Sequence, residues 1–344
     1  MLSYLASRFL QAVGVLWAAF TVSFGVLFLL PSDPVSMVAG SDNGTPVDAA
    51  AIEQLQARYG LDQPVWVQYW NALSNAVRGD FGISISTGRP VTEAIADALP
   101  STLALASFAL VLAVTFGTVV AFLATYTRIG WLRNVLFSLP PLGVAVPTFW
   151  VGLILLQLFS FRVKLFPAFG EGGIEHLLLP AITLALPTGA VIAQVLAVSL
   201  QTTARQPYIE AARAKGASRW RVQTRHALRL SSIPAFTIAG VIVGNLIAGS
   251  VVVETVFSRA GLGRLTQMSV MAQDIPVVLG IVVFGSVVFV IVNLVVDLFY
   301  PLIDPRIVHA RGGADALSGS GESVRSGSDP DSTVDQGPKV STHV

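Results

Sequence analysis

The chain has 344 residues, of which 53% are hydrophobic and only 12% are charged, and its formal net charge is +1. Soluble domains carry about 25% charged residues, so this composition predicts a protein that crosses a membrane several times. Because the chain contains no cysteine, disulfides, thiolate metal sites and cysteine nucleophiles are all excluded.

Six apolar stretches are long enough to span a bilayer, which needs about 20 residues of α-helix. Prolines interrupt the third stretch at Pro140, Pro141 and Pro147, and the fourth at Pro180 and Pro187. They predict either kinked packing helices or an irregular wall that lines a passage. The six predicted spans are Phe9–Leu30, Ser101–Tyr126, Val135–Phe161, Leu177–Leu200, Ile233–Val256 and Val277–Leu302.

Positive charges are distributed unevenly between the two ends of these spans. With the N terminus inside, the cytoplasmic side carries twelve Lys and Arg residues, seven of them between Arg205 and Arg229, whereas the short outer loops carry four. The positive-inside rule therefore places both termini in the cytoplasm of a multi-pass plasma-membrane protein. The first span is too long for a signal-peptide core and no A-x-A site precedes Pro31, so we expect a retained helix.

Four regions follow from this map: an N-terminal transmembrane helix (1–30), an extracytoplasmic loop (31–99), a five-helix core (100–306) and a cytoplasmic tail (307–344). The tail is rich in Gly, Ser and Asp, so we expect it to be disordered. In the outer loop, a helix is predicted from Thr45 to about Tyr59. A second, amphipathic helix there either lies at the membrane interface or packs on the outer ends of the spans, and the two arrangements are compatible. Its aromatic face comprises Trp66, Tyr69, Trp70, Leu73 and Val77.

A basic cytoplasmic segment, "EAARAKGASRWRVQTRHALR", separates the fourth and fifth spans. Its residues predict a helix from Pro207 to Lys215, a stop at Gly216 and a second helix capped by Ser218 that runs to about Leu230. Small residues cluster on the first helix and would let another surface approach the backbone closely. The pattern indicates a docking element for a partner.

This segment resembles the E-A-A loop of ATP-binding cassette (ABC) importer permeases, whose pattern is E-A-A, three residues, then G. Glu210, Ala211, Ala212 and Gly216 match it, whereas the later I-x-L-P is replaced by "HALR" at 226–229. The chain is similar, over residues 1 to about 306, to dipeptide and oligopeptide permeases, the inner membrane components of binding-protein-dependent transport. The resemblance is carried in order by "GLDQPVWVQYW", "RGDFGIS", "GRPV", "LPSTLALA", "PTFWVGL", "LLLPAITLALP", "VVVETVFSRAGLGRL" and "VDLFYPLIDPR".

The resemblance implies an all-α integral membrane protein with six transmembrane helices and the type I ABC importer permease fold. It further implies that the chain forms half of a translocation pathway with a homologous second permease subunit, two cytoplasmic ABC ATPase subunits and an extracytoplasmic peptide-binding protein. The cargo would be a dipeptide or oligopeptide, and relatives carry nickel chelates, glutathione or other solutes. The residues implied in coupling to the ATPases are Glu210, Ala211, Ala212 and Gly216, with Arg213 and Lys215 as flanking contacts.

Several alternatives remain open at this level. The loop could bind anionic lipid headgroups instead of an ATPase. The chain could be an ATP-independent secondary carrier or channel, although it shows no deep acid or histidine relay, or it could be a membrane-anchored scaffold. The sequence lacks G-x-x-x-x-G-K-[ST], H-E-x-x-H and G-x-S-x-G, and its four histidines are scattered, so we expect a non-catalytic subunit without cofactor, metal site or nucleic-acid partner.

Polar residues inside the spans are few. For Glu254 and Asp297 we expect a structural role, such as capping or pairing with Arg259 or Arg306. Interhelical hydrogen bonds are expected to explain most of the deeper polar side chains, namely Gln157, Thr183, Thr188, Gln194, Asn245 and Asn293. Among these, Gln194 and Asn245 are the candidates for lining a substrate pathway.

Overall fold

The computed structural model of the chain describes residues 2–29, 57 and 62–303. Its regular structure in these ranges is helical, with one isolated antiparallel bridge between Ile83 and Pro90. The prediction of an all-α protein is confirmed. Apart from residue 57, the helix predicted from Thr45 lies outside the described residues, and so do the whole tail and the side chain of Asp297. The α-helices are α1 (Leu2–Leu29), α2 (Val65–Val77), α3 (Val91–Tyr126), α4 (Gly130–Ala145), α5 (Thr148–Leu155), α6 (Ile174–Ala204), α7 (Pro207–Ala214), α8 (Arg219–Arg221), α9 (Leu228–Ser231), α10 (Ile233–Thr237), α11 (Ala239–Val256), α12 (Leu262–Met271) and α13 (Ile275–Ile303).

The chain divides into two compact units, residues 1–297 and 298–344. Four of its helices, α1, α3, α6 and α13, are long and apolar enough to cross a membrane. Two further spans are possible if each of two bent helix pairs crosses once. The described helices therefore provide four to six of the predicted spans.

The third predicted span is not one helix. The pair formed by α4 and the segment Thr148–Arg162 is bent by 102°. The break falls at Val146, whose ψ of 128° is extended, just before Pro147 at the start of α5. A residue that precedes proline is disfavoured in the helical conformation, which explains the position of the break. Pro140 and Pro141, by contrast, lie inside α4.

Helix α6 is the central element of the bundle and continues unbroken through Pro180 and Pro187. It crosses α3 at very short range: a Cβ added to Gly117 on α3 would lie 2.7 Å from the carbonyl oxygen of Gly189 on α6. Small residues allow such backbone contact between membrane helices, where dispersion rather than water exclusion holds the helices together. The backbones of α3 and α6 are therefore in direct contact at this crossing.

The fifth predicted span is also bent, by 57° between Arg219–Thr237 and Val241–Val256. The side-chain surroundings of Gly240 on α11 lie outside the described residues. A Cβ added to Gly244 would lie 3.3 Å from the ring of Phe289 on α13. Helices α11 and α13 are therefore in close contact at Gly244.

The amphipathic helix α2 has two different faces, and they combine the two predicted arrangements. Tyr69 packs edge-on against Phe20 and Phe24 of α1, with ring centroids 5.7 and 5.3 Å apart. Its hydroxyl also lies 2.9 Å from Thr21 Oγ1. Trp66 and Trp70 remain 69% and 62% exposed. One face thus packs on a membrane helix and the other presents indole rings, as interfacial helices do.

Candidate functional sites

The loop between α6 and α10 folds as its residues predict. Helix α7 ends one residue before the predicted Lys215. Gly216 has φ +84°, its amide donates to Arg213 O over 2.9 Å, and the amide of Ala217 donates to Ala212 O over 3.1 Å. These bonds form a Schellman motif, in which the left-handed position favours glycine. Ser218 then caps the next helix, because its Oγ accepts from the amide of Arg221.

The inner side of this loop is packed on the bundle. Ile209 of α7 is completely buried, and Val222 and Ala227 of the following turns are 3% exposed. They form one apolar cluster with Leu196 and Leu200 near the end of α6. A displacement of α7 would therefore be transmitted to α6 through close-packed side chains.

The outer side of α7 is open. Glu210, Ala211, Ala214, Lys215 and Gly216 are all exposed, and a Cβ added to Gly216 would meet no atom within 4 Å. Ala212 is half-buried and Arg213 is exposed. Partial burial raises the pKa of the Tyr208 hydroxyl, so this side chain is neutral at physiological pH. The six residues implied in coupling thus form one short helix and its turn, with all but Ala212 exposed.

Polar and aromatic contacts that the sequence did not predict anchor the second half of the loop on α3. Gln223 Nε2 donates to Phe122 O over 3.2 Å and to Thr125 Oγ1 over 2.7 Å. The ring of Trp220 packs edge-on against Phe122 and Tyr126. The partners are about 100 residues apart in sequence, so no local pattern could have indicated them.

At the opposite end of α3 and α6, Glu254 is completely buried and fully satisfied by hydrogen bonds. Its Oε1 accepts from Thr102 Oγ1 over 2.7 Å, and its Oε2 accepts from the amides of Gly263 and Arg264 over 2.7 and 3.2 Å. A carboxylate is favourable at the positive end of a helix, here the N terminus of α12. The expected capping role of Glu254 is therefore seen.

The alternative expectation, a direct ion pair between Glu254 and Arg259, is not what the structure shows. Arg259 is 5% exposed and donates instead to His176 O over 3.2 Å and to Ser101 Oγ over 3.1 Å. Arg259 therefore links the start of α6 and the first third of α3 to the segment that follows α11.

Two glycines next to Glu254 are required by space. A Cβ added to Gly261 would lie 2.4 Å from the carboxyl group of Glu254, and one added to Gly263 would lie 2.4 Å from Val251 Cα. The stretch "ETVFSRAGLG" is thus a compact turn around a buried carboxylate.

A second buried carboxylate, Asp274, was missed by sequence reasoning. It is 1% exposed and accepts four hydrogen bonds from the loop that precedes α3. The donors are Ser84 Oγ (2.5 Å), Ser86 Oγ (2.7 Å) and the amides of Ile85 (3.2 Å) and Ser86 (3.1 Å). The position of Asp274 directly before α13 is a typical capping signal, but its side chain serves the distant loop.

The structure does not bring the two candidate pathway residues into one site. Gln194 is half-buried and lines a mainly apolar cavity of about 230 Å³ between α3, α4 and α6. Asn245 is exposed on α11. Three other polar residues, Thr183, Thr188 and Asn293, bond to the carbonyl four residues earlier in their own helix, which corrects the expected interhelical bonds.

Metal ligands do not cluster in the part of the chain that the structure describes: no three His, Asp or Glu side chains there lie close enough to hold an ion. The two buried carboxylates have their oxygens occupied by protein donors. The helical bundle thus has an exposed loop, between α6 and α10, at one end. At the other end it has a hydrogen-bonded layer around the buried side chains of Glu254 and Asp274.

Comparison with known proteins identifies the family. The family model described as "Binding-protein-dependent transport system inner membrane component" matches residues 113–309, and its N-terminal counterpart matches residues 1–106. The chain is 37% identical over 307 residues to "Glutathione transport system permease protein GsiC" of Escherichia coli (strain K12), covering 89% of this chain and 99% of the relative. The protein of the same name from Shigella boydii serotype 4 (strain Sb227) is 36% identical over the same length and coverage.

Two solved structures are also similar at low identity. One is the crystal structure of an amino acid ABC transporter with histidines, with 20% identity and a TM-score of 0.49 over 61% of this chain and 94% of that one. The other is an inward-facing MetNI methionine ABC transporter, with 16% identity and a TM-score of 0.46 over 62% and 94%. By its matched family models and relatives, the chain belongs to the binding-protein-dependent transport system inner membrane components, and it is a permease subunit of an ABC importer.

Proposed function

We propose that the exposed helix α7 and its turn at Gly216 are the surface on which a separate ATPase docks and drives this permease. The observation that carries the proposal is the two-sided loop, whose inner side is buried against α3 and α6 through Ile209 and Val222 while its outer side is small and exposed. Docking and withdrawal of a partner at α7 would move the bundle through these contacts, which is a coupling free energy shared by two sites.

The docking surface comprises six residues with different roles. Ala211 and Gly216 permit close approach, Glu210 offers a carboxylate to the partner, and Arg213 and Lys215 flank the surface with positive charge. Ala212 joins the surface to the core cluster below it. The conformation of the turn needs no partner, because its hydrogen bonds are internal.

Both termini are assigned to the cytoplasm in this proposal. The basic segment 205–229 and Arg133 lie together at one end of α3 and α6, and the positive-inside rule places that end in the cytoplasm. The layer around Glu254 and Asp274 then faces outward, where a binding protein delivers cargo.

The subunit composition follows the family. An importer of this class needs an ATPase and a substrate-binding protein, and we propose two copies of the ATPase, a homologous second permease and one binding protein. This chain would then contribute half of the passage and no catalytic group. We also propose the division of the chain into four regions, with a five-helix core at residues 100–306 and a cytoplasmic tail at residues 307–344.

For the cargo, we propose short peptides of about the size of glutathione. The support is the identity of 37% to permeases named for glutathione transport. A nickel chelate or another non-peptide solute is the alternative, because selectivity resides largely in the binding protein. Asn245, exposed on α11, is the better placed of the two pathway candidates, and Gln194 contributes if its cavity opens to the passage.

The test is affinity purification of the chain from its native membrane, mass spectrometry of its partners, and reconstitution in liposomes with the binding protein. We expect two ATPases and a second permease, and uptake of labelled glutathione or a dipeptide that stops when ATP is withheld. A chain that purifies alone and moves solute without ATP would be a secondary carrier. Uptake of nickel chelate in place of peptide would overturn the cargo assignment alone.

A further inference from the structure

A cavity of about 210 Å³ with a strongly positive lining lies next to the loop between α6 and α10, here called the coupling loop. Its other walls are the ends of α3, α4 and α6. Four arginines line it: Arg133, Arg205, Arg213 and Arg219. None of the residues that line the cavity is acidic. Throughout the described ranges, no carboxylate forms an ion pair with any of the four. Arg133, Arg205 and Arg213 are exposed and Arg219 is half-buried, so the cavity is an open basic pocket in which an anion would reduce the repulsion between four like charges.

Two of the four guanidinium groups are held in place by aromatic rings. The guanidinium carbon of Arg219 lies 5.0 Å from the ring centroid of Tyr126, and that of Arg133 lies 5.8 Å from the ring centroid of Phe137. A guanidinium that stacks on a ring keeps its N–H edges free, and these edges suit phosphate oxygens better than a lysine does. The cavity therefore offers a preorganised fork of donors for a phosphate group.

The surroundings of the cavity indicate that the phosphate belongs to a lipid. Trp131 and Trp220 at the same end of the bundle are 69% and 58% exposed, as tryptophans at the headgroup level of a membrane are. Phe137 lines both the arginine cavity and the apolar cavity of about 230 Å³ that continues between α3, α4 and α6. A charged pocket that adjoins an apolar one matches a headgroup and the start of its acyl chain.

We propose that this pair of cavities binds an anionic phospholipid, with its phosphate among the four arginines and a chain along Phe137 and Pro140. The lipid would bridge the coupling loop, through Arg219, to α4, through Arg133. It would thus stiffen the connection that carries movement from α7 to the bundle. An acyl chain in the apolar cavity would also occupy the space next to Gln194. The same space therefore cannot serve both as the lipid site and as part of the substrate passage.

The experiment measures binding to the complete transporter, purified in mild detergent, by native mass spectrometry and by the midpoint of thermal unfolding. The probes are phosphatidylglycerol, zwitterionic phosphatidylcholine and inorganic phosphate at matched concentrations. We expect phosphatidylglycerol to bind and to raise the midpoint more than the other two. Arg133→Gln and Arg205→Gln should each weaken this binding roughly fivefold, the effect of one basic residue near an anionic lipid surface.

Arg221→Gln is the matched control, because Arg221 is an exposed arginine of the same loop that does not line the cavity. Arg133→Lys should restore part of the affinity, since it keeps the charge and loses the planar fork. Equal effects of both lipids, or unchanged binding in Arg133→Gln and Arg205→Gln, would overturn the site. An equal effect of inorganic phosphate would overturn the assignment to a lipid. Because the experiment measures lipid binding and not uptake, its result does not depend on whether α7 is the ATPase-docking surface.

Discussion

The carboxylate of Glu254 at the end of α11 accepts a hydrogen bond from the amide of Gly263 in the first turn of α12, over 2.7 Å. An acid in an otherwise apolar span is thereby used to close the N terminus of the next helix. Thr102 completes the layer, because its hydroxyl donates to Glu254 and accepts from the amide of Leu262 over 2.7 Å. Three helices, α3, α11 and α12, are locked together by one carboxyl group.

Glu254→Ala should destabilise the protein strongly. The substitution leaves two buried amides and one hydroxyl without an acceptor, and each buried unsatisfied group costs about 1–3 kcal/mol. We expect a lower midpoint of thermal unfolding of the detergent-purified transporter and less chain in the membrane. Glu175→Gln is the control, because the side chain of Glu175 is 57% exposed. A Glu254→Ala protein as stable as this control would show that the layer contributes nothing.

Gly263→Ala tests the close packing of the same turn without removing a hydrogen bond. The added Cβ would lie 2.4 Å from Val251 Cα and 2.7 Å from Val251 N, so backbone must move. Overpacking of this kind costs typically about 1–3 kcal/mol. Gly285→Ala is the matched control, since Gly285 is also helical but a Cβ there would meet nothing within 4 Å. The unfolding midpoint should fall for Gly263→Ala and stay constant or rise for Gly285→Ala, and equal midpoints would contradict the packing.

The elements that sequence reasoning located correctly are those with local signals. Pro207, Gly216 and Ser218 each restrict the backbone or supply a cap within a few residues, and the structure places the loop's helices accordingly. The hydrogen-bond partners of the two buried carboxyl groups were harder to predict from the sequence. Glu254 and Thr102 are 152 residues apart, and Asp274 and Ser84 are 190 residues apart. Only the assembled bundle determines such partners.

The prolines illustrate the same limit within one segment. Three prolines stand in the third predicted span, yet only Pro147 coincides with the break of the helix. Pro140 is buried inside α4 and lines the apolar cavity beside α6. Whether a proline bends or merely interrupts hydrogen bonding depends on what packs around it, which the sequence does not state.

Asp274→Ala should release the loop 84–90 that precedes α3. The carboxylate holds four donors of Ser84, Ile85 and Ser86, and no other described acceptor replaces it for the Ile85 and Ser86 amides. Hydrogen exchange of those two amides should accelerate, because amides without an acceptor open to solvent at low free energy. Exchange at the same rate as in the unchanged protein would show that the loop is held by other contacts. Asp97→Ala, in an exposed ion pair with Arg89, serves as the control.

Substitutions at Gly216 can test the backbone conformation of the turn after α7 separately from the small size of its exposed surface. Asparagine tolerates the left-handed conformation at φ +84°, so Gly216→Asn should keep the turn while it adds bulk to an exposed position. If a partner approaches the turn closely, we expect ATP-driven uptake to fall by about tenfold or more, within the usual range of allosteric coupling. A bulkier Gly216→Leu should abolish it. Gly216→Asn should reach the membrane normally, because no atom of the described residues lies within 4 Å of the added Cβ, whereas leucine at this positive φ also strains the turn.

The matched control is Gly79→Asn, which also has a positive φ, +78°, and nothing within 4 Å of a Cβ, but lies before α3. It should transport normally. Normal uptake in Gly216→Asn and Gly216→Leu, at normal protein levels, would refute the docking role of the turn. Loss of the protein from the membrane would instead indicate that the turn matters for folding.

Asn245 and Gln194 are distinguished by transport kinetics. Asn245 is exposed on α11, so a second subunit or the cargo would face its amide. If it contacts cargo, Asn245→Leu should change the ratio of uptake rates for two cargoes, such as glutathione and a dipeptide. A site that hydrogen-bonds one cargo and not another loses discrimination when that bond is removed.

Gln194→Leu should leave that ratio unchanged if the cavity beside α6 holds an acyl chain, because leucine is apolar and similar in size to the side chain it replaces. It should also keep or increase retention of phosphatidylglycerol in the purified transporter. A change in the cargo ratio for Gln194→Leu, together with unchanged lipid retention, would instead place this cavity in the passage. The cargo ratio and the lipid retention of this one variant thus decide whether the cavity between α3, α4 and α6 binds a lipid or belongs to the substrate passage.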